Sequence, residues 1–146
     1  MEKRSIVSLK GPYSAVASGK SPAASDLAAD LASWMRDSGL SVHGPDENEG
    51  YSWSVVTLAG NANVQSLIGY VGDDPQQFLI TNHASVGLLQ GLFNRSAKQA
   101  EADALLAVVC AIVHKKLSGA VEVSDVRWYL QHEFDSDHGE TWAPQP

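Results

Sequence analysis

Apolar positions along the chain recur with two different periods, and the change of period separates helices from strands. Between Ser25 and Gly39, Leu27, Leu31, Trp34 and Met35 repeat at helical spacing, while Asp26, Asp30, Arg36 and Asp37 take the wet side. Ser21 or Ser25 can cap this helix, Pro22 is tolerated in a first turn, and Gly39 supplies the left-handed residue that ends it. A longer helix is predicted from Ala97 to Leu117. Leu105, Val108, Val109, Ile112 and Val113 form its broad apolar face, and Lys115 and Lys116 suit the carbonyl end of its dipole before Gly119 stops it.

The rest of the chain favours strands. Ile6, Val7 and Leu9 make a first strand ended by Gly11-Pro12, and Leu40–His43 makes a short one followed by an acidic loop, "GPDENEG". Three antiparallel strands follow at about Tyr51–Ala59, Val64–Val71 and Phe78–Thr81. They are separated by two turn signals, Gly60-Asn61-Ala62-Asn63 and Asp73-Asp74-Pro75. Alternation puts Tyr51, Trp53 and Val55 on one face of the first of these, with Ser52 and Ser54 on the other. "SVGLLQGLFNRS" fits a short helix over Val86 to Phe93, although its two glycines weaken it. "AVEVSDVRWYLQHEF" alternates like a final strand, and a flexible polar tail is expected from about Asp135. The predicted fold is α+β: one domain over residues 1–146, with a mainly antiparallel sheet. The early helix and the long late helix cover one face of it. Where the first and last strands insert is left open.

Composition narrows the class. The 146 residues are 44% hydrophobic and 18% charged, the balance of a globular chain. Seventeen acids against ten basic residues give a net charge of −7, which argues against a nucleic-acid binder and suits a basic partner. The one thiol, Cys110, sits among aliphatic neighbours in "ALLAVVCAIV", a setting for an inert core cysteine. "MEKRSIVSLKGPYS" is too interrupted for a signal peptide, and no run reaches the ~20 apolar residues of a membrane span. A cytoplasmic protein without a membrane segment is expected.

Candidate chemistry is sparse. Gly19-Lys20-Ser21 has the tail of a phosphate-binding loop, but that loop needs a glycine where Ser14 stands and a buried strand leading into it. A linker and a helix cap explain the stretch better. His132, Glu133, Asp135, Asp137, His138 and Glu140 are metal-competent groups, yet a polar terminus gives ligands no scaffold or supporting hydrogen bonds. No cofactor or metal is expected. There is no Gly-x-Ser-x-Gly elbow, and no catalytic residue is assigned. His83, placed just after the "FLITN" strand, is the best acid–base candidate in an alternative reading. That alternative is an enzyme or small-ligand-binding domain with a pocket between sheet and helices. His114 is expected as a dipole partner near the end of the long helix.

Acids and aromatics are the remaining signal. Asp46, Glu47 and Glu49 crowd a loop that runs into Tyr51 and Trp53, and Asp73 and Asp74 make a second acidic turn. Rings beside carboxylates suit a basic protein surface, because rings give packed area and acids steer association. The competing reading puts Trp53 in the core and leaves the acids as solvated loops. A third possibility is an adaptor that uses Trp128 and Tyr129 on an exposed edge.

The order of "SDLAADLASWMRDSGLSV", an acidic turn, "GYSWSVVTL" and hairpins without catalytic motifs resembles the small acidic immunity proteins that bacteria encode beside secreted antibacterial toxins. The resemblance spans roughly Ser21 to Thr81 and is one of pattern. It implies a cytoplasmic, non-catalytic protein that plugs the active site of a cognate toxin, and the acidic loops suit a cleft that is basic. The resemblance transfers no residue by position; the pattern of acids beside rings makes Asp46, Glu47, Glu49, Tyr51, Trp53, Asp73 and Asp74 the partner-binding candidates.

Overall fold

The computed structural model describes residues 4–14, 23–73, 76–86 and 95–131. Within them the chain is α+β, with six antiparallel strands in one sheet and two helices. Gly19-Lys20-Ser21, Pro22, Asp74, most of the short helix expected over Val86–Phe93 and the tail from His132 onward lie outside the described residues.

The elements in chain order are β1 (Ile6–Lys10), α1 (Ser25–Asp37), β2 (Ser41–Asn48), β3 (Ser52–Ala59), β4 (Ala62–Asp73), β5 (Gln76–Val86), α2 (Arg95–Gly119) and β6 (Ser124–Tyr129). Across the sheet the strands run β2-β3-β4-β5-β1-β6. The first strand is therefore an interior strand, paired with β5 on one side and β6 on the other. Helix α1 packs over β2 and β3, while α2 packs over β4 and β5 and touches β6.

Alternation decides what each face carries. Trp53, Ile68, Ile80, Val7 and Trp128 are cross-strand partners in one continuous row, and all belong to the core or pack against it. Leu27, Leu31 and Met35 of α1, with Leu105, Val109, Val113 and Leu117 of α2, close over this row. Burying this apolar surface is the main favourable contribution to folding. Ser66 and Asn82 also lie on the covered face. Ser66 Oγ donates to Asn82 Oδ1 at 2.6 Å, and Asn82 Nδ2 donates to the Ser5 carbonyl at 3.0 Å. Their polarity is satisfied internally, as burial requires.

Helix ends follow local chemistry. Gly39, at φ +85°, ends α1 with its N–H on the Arg36 carbonyl at 3.0 Å, while Leu40 N–H reaches the Met35 carbonyl at 3.1 Å. These two bonds satisfy carbonyls the helix leaves open, and a side chain would strain the glycine's backbone. The start differs from expectation. Ser25 is already helical, and the residue before it is Ala24 with no side-chain cap. Asp26 acts instead: its carboxylate accepts from both the backbone N–H and the hydroxyl of Ser14, at 3.0 and 3.1 Å. Placed in the first turn, that charge also complements the helix dipole.

Four expectations need correction. Strand β2 does not stop at His43; after a register shift between His43 and Asp46 it pairs with β3 as far as Asn48. As an edge strand it tolerates Pro45, and its charged residues reach water. Strand β5 runs to Val86, so His83 lies within a strand and Val86 does not start a helix. Val108 is 46% exposed and does not share the buried face of α2 with Val109, because the helix meets the sheet along a narrower stripe. Trp128 is fully buried, which removes it from the exposed edge proposed for an adaptor.

Two substitutions test this packing. Val109→Asp should cost about 4 kcal/mol by placing an unpaired charge in the core, whereas Val108→Asp should change stability by under about 0.5 kcal/mol in denaturant titration. Thr57 is buried and its hydroxyl has no hydrogen-bond partner among the described residues. Thr57→Val should therefore stabilise the protein by about 1 kcal/mol, and a loss of stability would show that the hydroxyl is satisfied.

Candidate functional site

The helices cover one face of the sheet, and the residues of opposite parity make up the other. Asn48, Ser52, Gly69, Leu79 and Ser8 follow one another in register across β2, β3, β4, β5 and β1 on this second face. Midway along the row is a recess of about 230 Å³. Asn48, Tyr51, Ser52, Leu67, Gly69, Val71, Leu79 and Thr81 are among the residues that line it. Its floor is Gly69, and Leu67 and Leu79 supply apolar surface beside it.

The β2–β3 turn forms the rim. Glu49 and Gly50 both have positive φ, at 55° and 81°, the signs of the tight turn that suits a twisted hairpin. Glycine, asparagine and aspartate favour such positions, and a glutamate there carries roughly 1 kcal/mol of backbone strain. The strained residue has a specific contact. Tyr51, 68% exposed, donates its phenol O–H to Glu49 Oε2 at 2.6 Å. That hydrogen bond, followed by the nearby negative charge, raises the phenol's pKa and holds it protonated. Asn48 Nδ2 donates to Ser52 Oγ at 3.1 Å, tying the base of the turn together.

The expected acidic loop is thus divided. Asp46 pairs with Ser54 and belongs to the recess face, Glu47 pairs with Trp53 and belongs to the helix face, and Glu49 sits in the turn. All three are exposed. Trp53 packs against the core and its indole N–H donates to the Ala23 carbonyl at 3.1 Å, so of the two rings only Tyr51 is open to a partner. Asp73 ends β4 opposite Gln76, and the register places these strand ends at the same end of the sheet as Glu49. Asp74 lies outside the described residues.

Further carboxylates gather at that end. Tyr13 has its pKa raised by burial and then by Asp30, Asp26 and Glu122, and Asp30 is itself raised by burial and by Asp26. Two of the nearby cations are already engaged. Asp125 holds Lys10 at 2.9 Å and Arg127 at 2.7 Å, and hydrogen bonds from these two groups lower its pKa. Asp46 and Glu49 have no such partner cation among the described ion pairs.

Other candidates resolve differently. His83 is exposed, pairs with Gln65, and lies on the face away from the helices, so it cannot line a pocket between sheet and helices. The period-two alternation puts it opposite Asn82 and Ala84. Cys110 is buried in the core cluster. Among the described residues no group of three or more His, Cys, Asp or Glu could hold a metal, and no helix is long and apolar enough to cross a membrane. Comparison with protein-family models, curated proteins and solved structures gave no match.

His114 has a structural role that sequence spacing did not suggest. Its Nδ1 accepts the indole N–H of buried Trp128 at 3.0 Å, joining α2 to β6, and burial lowers its pKa. Only the neutral ring can accept that bond. The unfolded chain takes up a proton near the ordinary value of 6.5, before the folded one does. The contribution to stability is therefore complete above 6.5 and declines as pH falls toward the lowered folded value. The melting temperature should drop over that window, and His114→Gln, which can accept but does not titrate, should flatten the drop. An unchanged pH profile in His114→Gln would remove His114 as its source.

Proposed function

We propose that this chain is a cytoplasmic immunity-type protein that binds and inhibits a cognate antibacterial toxin, without chemistry of its own. The observation that carries the reading is the Glu49–Tyr51 pair: an exposed ring fixed by a 2.6 Å bond to a carboxylate held in a strained turn. Preorganised aromatic groups make good contact anchors because little side-chain entropy remains to be lost on binding. Asp46 on the recess face adds negative charge at the end of the sheet where β4 also ends. A toxin cleft that attracts phosphate would be drawn to these groups for the same electrostatic reason.

The reading gives Trp53 a different part from the one expected of it. Through its Ala23 hydrogen bond it fixes the start of α1 against the hairpin, so it supports the surface without forming it.

The test begins with isolation of a stoichiometric partner on the immobilised chain, followed by kinetics with a charge-reversed variant. Asp46→Lys, Glu47→Lys and Glu49→Lys together should leave the fold intact, since exposed charges contribute little to stability. The triple variant should associate at least about tenfold more slowly at low salt, and the difference should shrink as salt screens the charges. It should also protect less well against the partner's toxicity. A folded variant with unchanged rate, affinity and protection would eliminate the acidic hairpin as the recognition surface.

A further inference from the structure

Gly69 is an interior strand residue, regularly paired with Ser52 on one side and Leu79 on the other. Glycine at such a position weakens a strand by roughly 0.5–1 kcal/mol, so it ordinarily reflects a backbone requirement or a close approach. Neither applies among the described residues. Its φ is not in the left-handed region, and a β-carbon built on it would meet only Ser52 Cβ and the Tyr51 carbonyl, both at 3.9 Å, an ordinary contact distance. The missing side chain instead leaves the floor of the 230 Å³ recess open between Leu67, Leu79 and Tyr51.

We infer that this recess receives a single apolar side chain, of leucine or phenylalanine size, from a partner protein that flanks it with lysine or arginine. Size selects the guest. A cavity of about 150 Å³ holds a benzene ring, whereas sites for whole small molecules begin at about 300 Å³. The walls select its polarity: Leu67, Leu79 and the 54% exposed Val71 offer apolar surface that a polar group could not use. Charge selects the flanks. Tyr51 on the wall carries the Glu49 carboxylate at 2.6 Å, Asp46 lies on the same face, and Lys10 and Arg127 are tied up by Asp125. A cationic residue beside the inserted side chain meets carboxylates that have no ion-pair partner among the described residues. The inference rests on the protein-binding reading above and names where that partner's anchor residue goes.

The probe is a short peptide, acetyl-Lys-Lys-Leu-Lys-Lys-amide, titrated into the isotope-labelled full chain and followed by amide chemical shifts. Two control peptides separate the terms, one with serine in place of leucine and one with glutamate in place of every lysine. The leucine peptide should produce saturable shifts centred on Ser52, Leu67, Gly69 and Leu79, and each control should bind at least about tenfold more weakly. Gly69→Leu should fill the recess from within and weaken the leucine peptide at least about tenfold. Tyr51→Ala, at an exposed position where folding is not in question, should weaken it at least about threefold. Shifts centred elsewhere, no saturable binding, equal binding of the serine peptide, or unchanged affinity in either folded variant would overturn the inference. If Gly69→Leu does not fold, Tyr51→Ala decides. The titration involves no toxin, so the two readings fail separately. A toxin partner that binds Gly69→Leu unchanged would remove the recess and keep the inhibitor, while recess binding without any such partner would do the reverse.

Discussion

The row Trp128, Val7, Ile80, Ile68 and Trp53 crosses five neighbouring strands beneath the two helices, and it fixes the register of those five strands. Side chains alternate between faces, so slipping any one strand by a residue would expose its member of the row and bury its neighbour. Leu31 and Met35 from α1 and Val109 and Val113 from α2 close on this face, and that makes the penalty for slippage large. The hydrogen bond from Trp128 to His114 adds a directional tie to β6, an edge strand.

Once that row is set, the positions of β3, β4, β5 and β1 on the opposite face follow from it, and the β2–β3 pairing adds Asn48. The adjacent register positions place Asn48, Ser52, Gly69 and Leu79 in line, and the glycine among them leaves the recess. The core thus determines where the recess lies, although none of the core residues in the row enters it. The β2–β3 turn then brings Tyr51 and Glu49 to its rim, because Asn48 and Ser52 are direct partners at the base of that turn. The proposed contact surface is a by-product of sheet register in its position and of local strain in its detail.

Electrostatics at this end are equally a matter of pairing. The chain carries a surplus of acids, but a surplus alone does not say which carboxylates remain available. Asp125 is occupied by Lys10 and Arg127, Asp26 by Ser14, and Glu49 by the Tyr51 phenol. Only the last arrangement leaves a negative group beside an exposed ring, and the hydrogen bond there orients the ring without neutralising the charge.

Local patterning in the sequence was enough for the helix over Ser25–Asp37, its stop at Gly39, the three middle strands and the one-sided cover by helices, because each rests on short-range periodicity or on a single residue's backbone preference. It also singled out Tyr51 and Glu49, through the closeness of rings and acids in the chain. Pairing partners were beyond its reach. The interior place of β1, the continuation of β2 through Asp46 and Glu47, and the extension of β5 past His83 depend on what each strand meets across the sheet. Burial had the same limit: Trp53, Trp128 and Val108 read alike as apolar residues, and only the packing of helix on sheet left Val108 exposed while enclosing Trp128. The significance of Gly69 was likewise invisible in sequence, since a glycine in a strand becomes a recess only when its neighbours on adjacent strands rise around it.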